Sequence, residues 1–223
     1  VLTSQPTSDV TVTPTPDAQV TVTAPLIFTS ADWDHEQIVT VTAVDDAVVE
    51  ASPHPGFITH AASSADPNYN EIDIAGRQAN ITDNDTAGVT VSKASVAVTE
   101  GAVTGDTYTL VLTSPPTNAV TISITTAHGR VTVGPASLTF TATDWDDAQT
   151  VTVEAVDDAI AEGPHSDTIG HTASSNDGNY AGIHIASVTA NITDDDTAAG
   201  HDGGGPPEED CCSPPSLRGP WLL

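Results

Sequence analysis

The chain has 223 residues, of which 31 are Asp or Glu and only four are Lys or Arg, giving a net charge of -27 and a pI of about 4.1. That balance excludes nucleic-acid binding and docking on anionic lipid, since both need a basic face and the cations are only Arg77, Lys93, Arg130 and Arg218. No apolar run reaches the roughly 18 residues of a membrane span, so no membrane insertion is expected, and the start at Val1 without Met or a leader pattern suggests a mature or excised piece.

The acids are 23 Asp and 8 Glu, a bias toward turns and hard-cation loops rather than helices. Thr, Val and Ile supply 70 residues whereas Leu supplies 8 and Met none, a palette for pleated sheet. An all-β fold is expected.

In chain order, the first segment is VLTSQPT (Val1 to Thr7), followed by Val/Thr alternation around Val10 and Val20. Then come a DWD turn at Asp32 to Asp34, a run from Val39, and the acidic turn Asp45-Asp46 leading to Glu50. HAASSADPNY (His60 to Tyr69) and ANITDNDTAG (Ala79 to Gly88) close this part. Every one of these segments returns 110 to 112 residues later: VLTSPPT at Val111, TDWDDAQTVTVEAVDDAIAE ending at Glu162, HTASSNDGNY at His171 and ANITDDDTAA at Ala190. The chain is therefore read as a tandem duplication, with domains at 1–86 and 87–197. Period-two alternation marks half-buried antiparallel sheet, and about seven such runs in the second repeat suggest a β-sandwich.

The second repeat opens with GVTVSKASVAVTEG and DTYTLVLTSPPT, and roughly 24 of these residues (87–110) have no counterpart before Val1. Domain one is thus expected to lack its opening strand and much of the next. Either the chain is a slice of a longer array, or another molecule fills the missing strand by strand addition. Residues 198–223, rich in Gly, Pro and acid, read as an irregular tail, in which Trp221, Leu222 and Leu223 are the candidate apolar anchor for a neighbour. Its adjacent Cys211 and Cys212 leave both sandwiches without a disulfide.

Acids at strand ends recur in sets: Glu100 in VTEG, then Asp157, Asp158 and Glu162, then Asp194, Asp195 and Asp196. In the first repeat the sets are Asp45, Asp46 and Glu50, then Asp83 and Asp85. Calcium takes six to eight oxygens, so clusters converging at one sandwich end would suit it. These motifs (VTEG, DD followed by Glu, and the terminal DNDT or DDDT) resemble the Calx-β family, the sandwich repeats of sodium/calcium exchangers, integrin β4 and large surface proteins. The resemblance implies two tandem immunoglobulin-like antiparallel sandwiches and Ca2+ held by Glu100, Asp157, Asp158, Glu162, Asp194, Asp195 and Asp196. In the first repeat it implicates Asp45, Asp46, Glu50, Asp83 and Asp85, although that copy has no VTEG and carries Asn84 in the middle position. The competing account makes these acids turn formers and solvated charges.

Trp33 and Trp145, each in a DWD turn, are expected in the core, with a sugar platform as the competing reading, and Tyr69 and Tyr180 read as core residues at strand starts. His54 and His60 recur as His165 and His171 and are expected at the surface, no third metal ligand recurring with them. No nucleophile–base signature is present, and catalysis is not expected. Asn80, Asn84 and Asn191 fit the N-glycosylation rule. The function expected is that of an extracellular or cell-surface spacer, stiffened by calcium at the domain junction and joined head to tail to copies of itself or to neighbouring repeats, with strand donation between subunits. An adhesin or carbohydrate-binding module acting on glycans through its loops is the alternative, ahead of a regulatory calcium sensor.

Overall fold

The computed structural model describes residues 1–197, and within them every regular element is a strand. The tail, with its cysteines and its apolar anchor, lies outside the described residues. The first repeat contributes β1 (Val10–Pro16), β2 (Val20–Val22), β3 (Leu26–Phe28), β4 (Val41–Ala43), β5 (His54–Ser64) and β6 (Arg77–Ile81). The second contributes β7 (Val89–Val91), β8 (Ser95–Thr99), β9 (Asp106–Leu112), β10 (Val120–Thr126), β11 (Val131–Gly134), β12 (Ser137–Phe140), β13 (Gln149–Ala155), β14 (His165–Ser174) and β15 (Val188–Thr193). The second repeat thus has nine strands, two more than the alternation alone suggests.

Val/Thr alternation produces the second sandwich directly. Along β10 the residues Val120, Ile122 and Ile124 are buried while the intervening hydroxyl residues are not, and along β13 Val151 and Val153 are wholly buried. One sheet runs in the order β12-β10-β14-β15-β8 and the other β11-β13-β9-β7. Their facing sides close one core in which Tyr108, Leu110, Phe140, Ile169 and Val188 are at most 1% exposed. Each aliphatic side chain so enclosed contributes about 1.5–3 kcal/mol.

One pairing corrects the antiparallel expectation: β8 lies parallel to β15, Val96 opposite Ala190 and Val98 opposite Ile192. Alternation alone reports that a strand has one wet face and says nothing of its direction, and here β8 runs along the edge of the sheet opposite to the one that holds β7 and β9.

The first repeat has a four-stranded sheet, β3-β1-β5-β6, and only the pair β2-β4 opposite it. Counterparts of β7, β8 and β9 do not occur among its described residues, so β4 has β2 as its single partner and β6 ends its sheet. The consequence is visible in packing. The first repeat has two small clusters, one around Val10, Val12, Phe28 and Tyr69 and one around Val20, Ile58 and Ile81.

Tyr69 and Tyr180 are buried as expected, but in the turn after β5 or β14 rather than at a strand start. Their hydroxyls donate to the carbonyls of Ser4 and Ser114, each at 2.6 Å, which is the task of the serine in VLTS. Trp145 is half-buried against the second core rather than enclosed by it, and Trp33 is half-buried too. Three carboxylates are buried as structural acceptors that composition does not single out: Asp66, Asp167 and Asp177. Asp177 accepts from the amides of Thr117 and Asn179, as Asp66 does from Thr7 and Asn68, while Asp167 accepts from His128, Arg130 and Thr168 and so ties down the turn after β10.

Candidate functional site

The parallel pairing assembles the acids of the second repeat. Beyond the last paired residues the Glu100 amide donates to the Thr193 carbonyl at 3.0 Å, which carries the ladder one residue further and sets Glu100 beside Asp194. The chain then turns at Gly101 with φ +66°, where a Cβ would stand 2.7 Å from Asp195 Oδ2. This explains why glycine follows the glutamate in VTEG.

Glu100, Asp194, Asp195 and Asp196 each offer an oxygen, and these atoms all lie within 4.8 Å of one another. Glu100 is 4% exposed. Asp196 Oδ2 is buried and accepts no hydrogen bond, leaving a lone-pair site without a proton donor, a costly arrangement in the absence of a cation. Asp194 is better served, taking the amides of Gly163 and Asp196 on its two oxygens.

The charge states follow. Burial and the adjacent Asp194 push the Glu100 carboxyl above the ordinary glutamate range, with His165 partly opposing. Burial, then Asp194 and Asp195, do the same to Asp196. The Gly163 and Asp196 amides hold Asp194 below the usual range. The cluster therefore holds like charges at close quarters.

His165 enters from β14, its Nε2 3.4 Å from both Glu100 and Glu162, with its side chain 10% exposed. The surface expectation for this histidine is thus corrected: β14 lies beside β15, and its first residue points into the acid cluster. His54 likewise sits 3.0 Å from Glu50, and His171 Nε2 meets the Tyr108 hydroxyl at 2.8 Å. A second set, Glu100, Glu162 and His165, shares Glu100 with the all-oxygen one.

Of the other acids proposed from sequence, Asp157 stands near Asp195, its Oδ1 3.6 Å from where a Cβ on Gly101 would be. Asp158 caps the amide of Ile160 and lines a hollow with Glu100, Arg130 and Glu162. Neither belongs to the tight sets.

In the first repeat Asp45, Asp46, Glu50, Asp83 and Asp85 line one small hollow with His54 and Asn84. Burial, then Asp83, Asp45, Asp46 and Glu50, raise the Asp85 carboxyl, while the Glu50 and Asp85 amides lower that of Asp83. Among the described residues these acids do not form a set as close as that of the second repeat. Among the described residues no counterpart of β8 delivers a counterpart of Glu100, and Asn84 stands where the second repeat has Asp195.

Asn80, Asn84 and Asn191 are all exposed, Asn80 on β6 and Asn191 on β15. The histidines are the site residues that sequence reading placed wrongly. Their signal was the offset of His165 only three residues from Glu162, and of His54 four from Glu50, in both repeats.

No family model and no curated protein matches the sequence. Among solved structures, the chain is similar to domains 4 and 5 of the S-layer protein SbsC, at 16% identity and a TM-score of 0.38 over 63% of this chain and 66% of that one. It is also similar to the D0-D1 domain of intimin (12%, 0.29, 86% and 84%) and to the D00-D0 domain of intimin (15%, 0.30, 80% and 82%).

Proposed function

We propose that this chain is a Calx-β-like structural segment of an extracellular or cell-surface protein, a non-catalytic spacer in which bound calcium stiffens each sandwich end. The observation that carries the reading is the convergence of Glu100, Asp194, Asp195 and Asp196, with an orphaned buried oxygen on Asp196. An all-carboxylate set is the donor chemistry of a hard divalent cation, and it suits Ca2+ better than a metal that prefers nitrogen or sulfur.

The acids of the first repeat stand at the junction. Asp85 belongs to their cluster, whereas Ala87 packs on the second core and Thr113 hydrogen-bonds the carbonyls of Thr86 and Gly88. With Thr86 alone between the two, a cation on Asp83 and Asp85 would restrain the hinge. Assembly between copies by strand addition belongs to the same proposal, with the first repeat as acceptor. The donor suggested by sequence, Ser213 to Leu223, lies outside the described residues. N-glycans on Asn80, Asn84 and Asn191 are compatible with their exposure. The tryptophans give the sugar-binding alternative no support, since Trp145 packs on the core.

Thermal unfolding tests the calcium reading. Millimolar calcium should raise the melting temperature of the second repeat relative to chelator, and Asp195→Asn with Asp196→Asn should remove most of that rise. Coincident melting curves in calcium and chelator would show the ligand assignment to be wrong.

A further inference from the structure

We propose that the second sandwich carries a second cation seat, different in chemistry from the all-oxygen one: His165 Nε2, Glu100 and Glu162 hold a divalent ion of the Zn2+ kind, with the fourth position open to solvent. The seat stands apart from the calcium reading, although Glu100 belongs to both sets.

The histidine is oriented for this role by its other nitrogen. His165 Nδ1 lies 2.9 Å from the Gly163 carbonyl, and a carbonyl only accepts, so Nδ1 is the donor and Nε2 is left as the ligand atom. A backbone carbonyl on the far nitrogen is the usual outer support of a metal-bound imidazole. That support is built into the turn. Gly163 adopts φ +73°, which lets its amide reach Asp194 while its carbonyl turns back to His165. Glu162 and His165 flank the Gly163-Pro164 turn, so one short loop presents two of the three ligands.

Distances separate an ion from a proton. Nε2 stands 3.4 Å from Glu100 Oε1 and 3.4 Å from Glu162 Oε2, whereas a charge-assisted N–H···O bond closes to about 2.7–2.9 Å. Zinc bonds of about 2.0–2.2 Å to nitrogen and oxygen, arranged tetrahedrally, put neighbouring ligand atoms about 3.3–3.6 Å apart. Both observed spacings match such an edge. The matching pair of the first repeat does not: His54 Nε2 is 3.0 Å from Glu50 Oε2 and 3.2 Å from Gln19 Oε1, each within ordinary hydrogen-bond length.

The surroundings agree. The His165 and Glu100 side chains are 10% and 4% exposed, and no hydrogen bond reaches the Glu100 carboxylate among the described residues, so two buried groups point lone pairs at one spot. Glu162 offers Oε2 to the seat while its Oε1 faces Arg130 at 3.9 Å. The fourth position opens on a hollow of about 220 Å3 that Gly129, Arg130 and Asp158 also line. Imidazole in the donor set selects a borderline ion over Ca2+, which takes oxygen. Because β15 lies between β14 and β8, an ion here ties the start of β14 to the end of β8 across the sheet.

The test is calorimetric titration of the full chain with ZnCl2 in calcium-free buffer, with the His165 imidazole resonances followed by NMR. Cys211→Ser and Cys212→Ser are included so that thiols do not compete for the metal. Saturable binding that shifts the His165 resonances is expected. It should weaken about 10-fold or more in His165→Gln and in Glu162→Gln. It should persist in Asp195→Asn with Asp196→Asn, the pair expected to abolish the calcium response, so the two readings fail separately. Arg130→Gln removes a cation beside Glu162 and should tighten zinc about 2- to 10-fold, a gain that misfolding cannot produce. Absence of saturable binding, binding that His165→Gln leaves unchanged, or unchanged or weaker binding in Arg130→Gln overturns the proposal. So does zinc binding that is lost in Asp195→Asn, Asp196→Asn but kept in Glu162→Gln, because the ion then sits on the all-oxygen set.

Discussion

Val41→Ala and Val153→Ala make the same chemical change at matched positions of the two repeats, and their costs should differ because only one position has β9 above it. Val153 is 0% exposed, so truncation removes two fully buried carbons, about 1.6 kcal/mol at roughly 0.8 kcal/mol per carbon. The closed core around it cannot refill the space, which brings the total to about 2–3 kcal/mol. Val41 is 40% exposed, so less of it leaves water and no sealed cavity forms. There the cost should stay near 0.5–1 kcal/mol. Hydrogen exchange read separately on β13 and on β2–β4 converts these figures to protection. At about 1.4 kcal/mol per factor of ten, the first substitution should lower protection about 30-fold or more and the second less than about fivefold. Equal losses would refute the claim that the first repeat is uncovered at β4.

Tyr180→Phe removes a hydroxyl that donates to the Ser114 carbonyl at 2.6 Å and accepts from its amide in a buried setting, and it should cost the second repeat about 1–3 kcal/mol in urea unfolding. Asp167 is buried, which works to raise its pKa, but the Arg130 and Thr168 amides, with His128, outweigh this and hold the carboxyl below the usual aspartate range. Its stabilising contribution is therefore fully present above the unfolded-state value and lost as pH falls through the lower folded one. Acid unfolding of the second repeat should accordingly lose part of its pH dependence in Asp167→Asn, measured as the urea midpoint against pH.

The strands of the second sandwich could be read from Val120, Ile122 and Ile124, or from Val151 and Val153, because burial of one face imposes period two on the sequence. The length of a strand could not. The runs at Val39 and Val151 alternate alike, yet one gives the three residues of β4 and the other the seven of β13, since pairing length depends on the neighbours available. The candidate site was legible as three groups of acids but not as a geometry. The partnership of Glu100 with Asp194 arises from a parallel pairing across some ninety residues, and the place of His165 from its strand lying next to β15. Asp66, Asp167 and Asp177 carry no signature in the sequence, because nothing local reveals which carboxylates turn inward to collect amides.

The parallel edge pair has a mechanical consequence. The chain enters β8 at Ser95 and leaves β15 at Thr193, and because the two strands run the same way these points lie at opposite ends of the ladder from Ser95–Thr189 to Thr99–Thr193. Tension applied along a fibre through those points slides β8 past β15, loading all the ladder bonds together instead of peeling them one at a time. The second repeat is thus built to hold under pull, with Glu100 and Asp194 at the loaded end of the seam. The described strands of the first repeat contain no such seam.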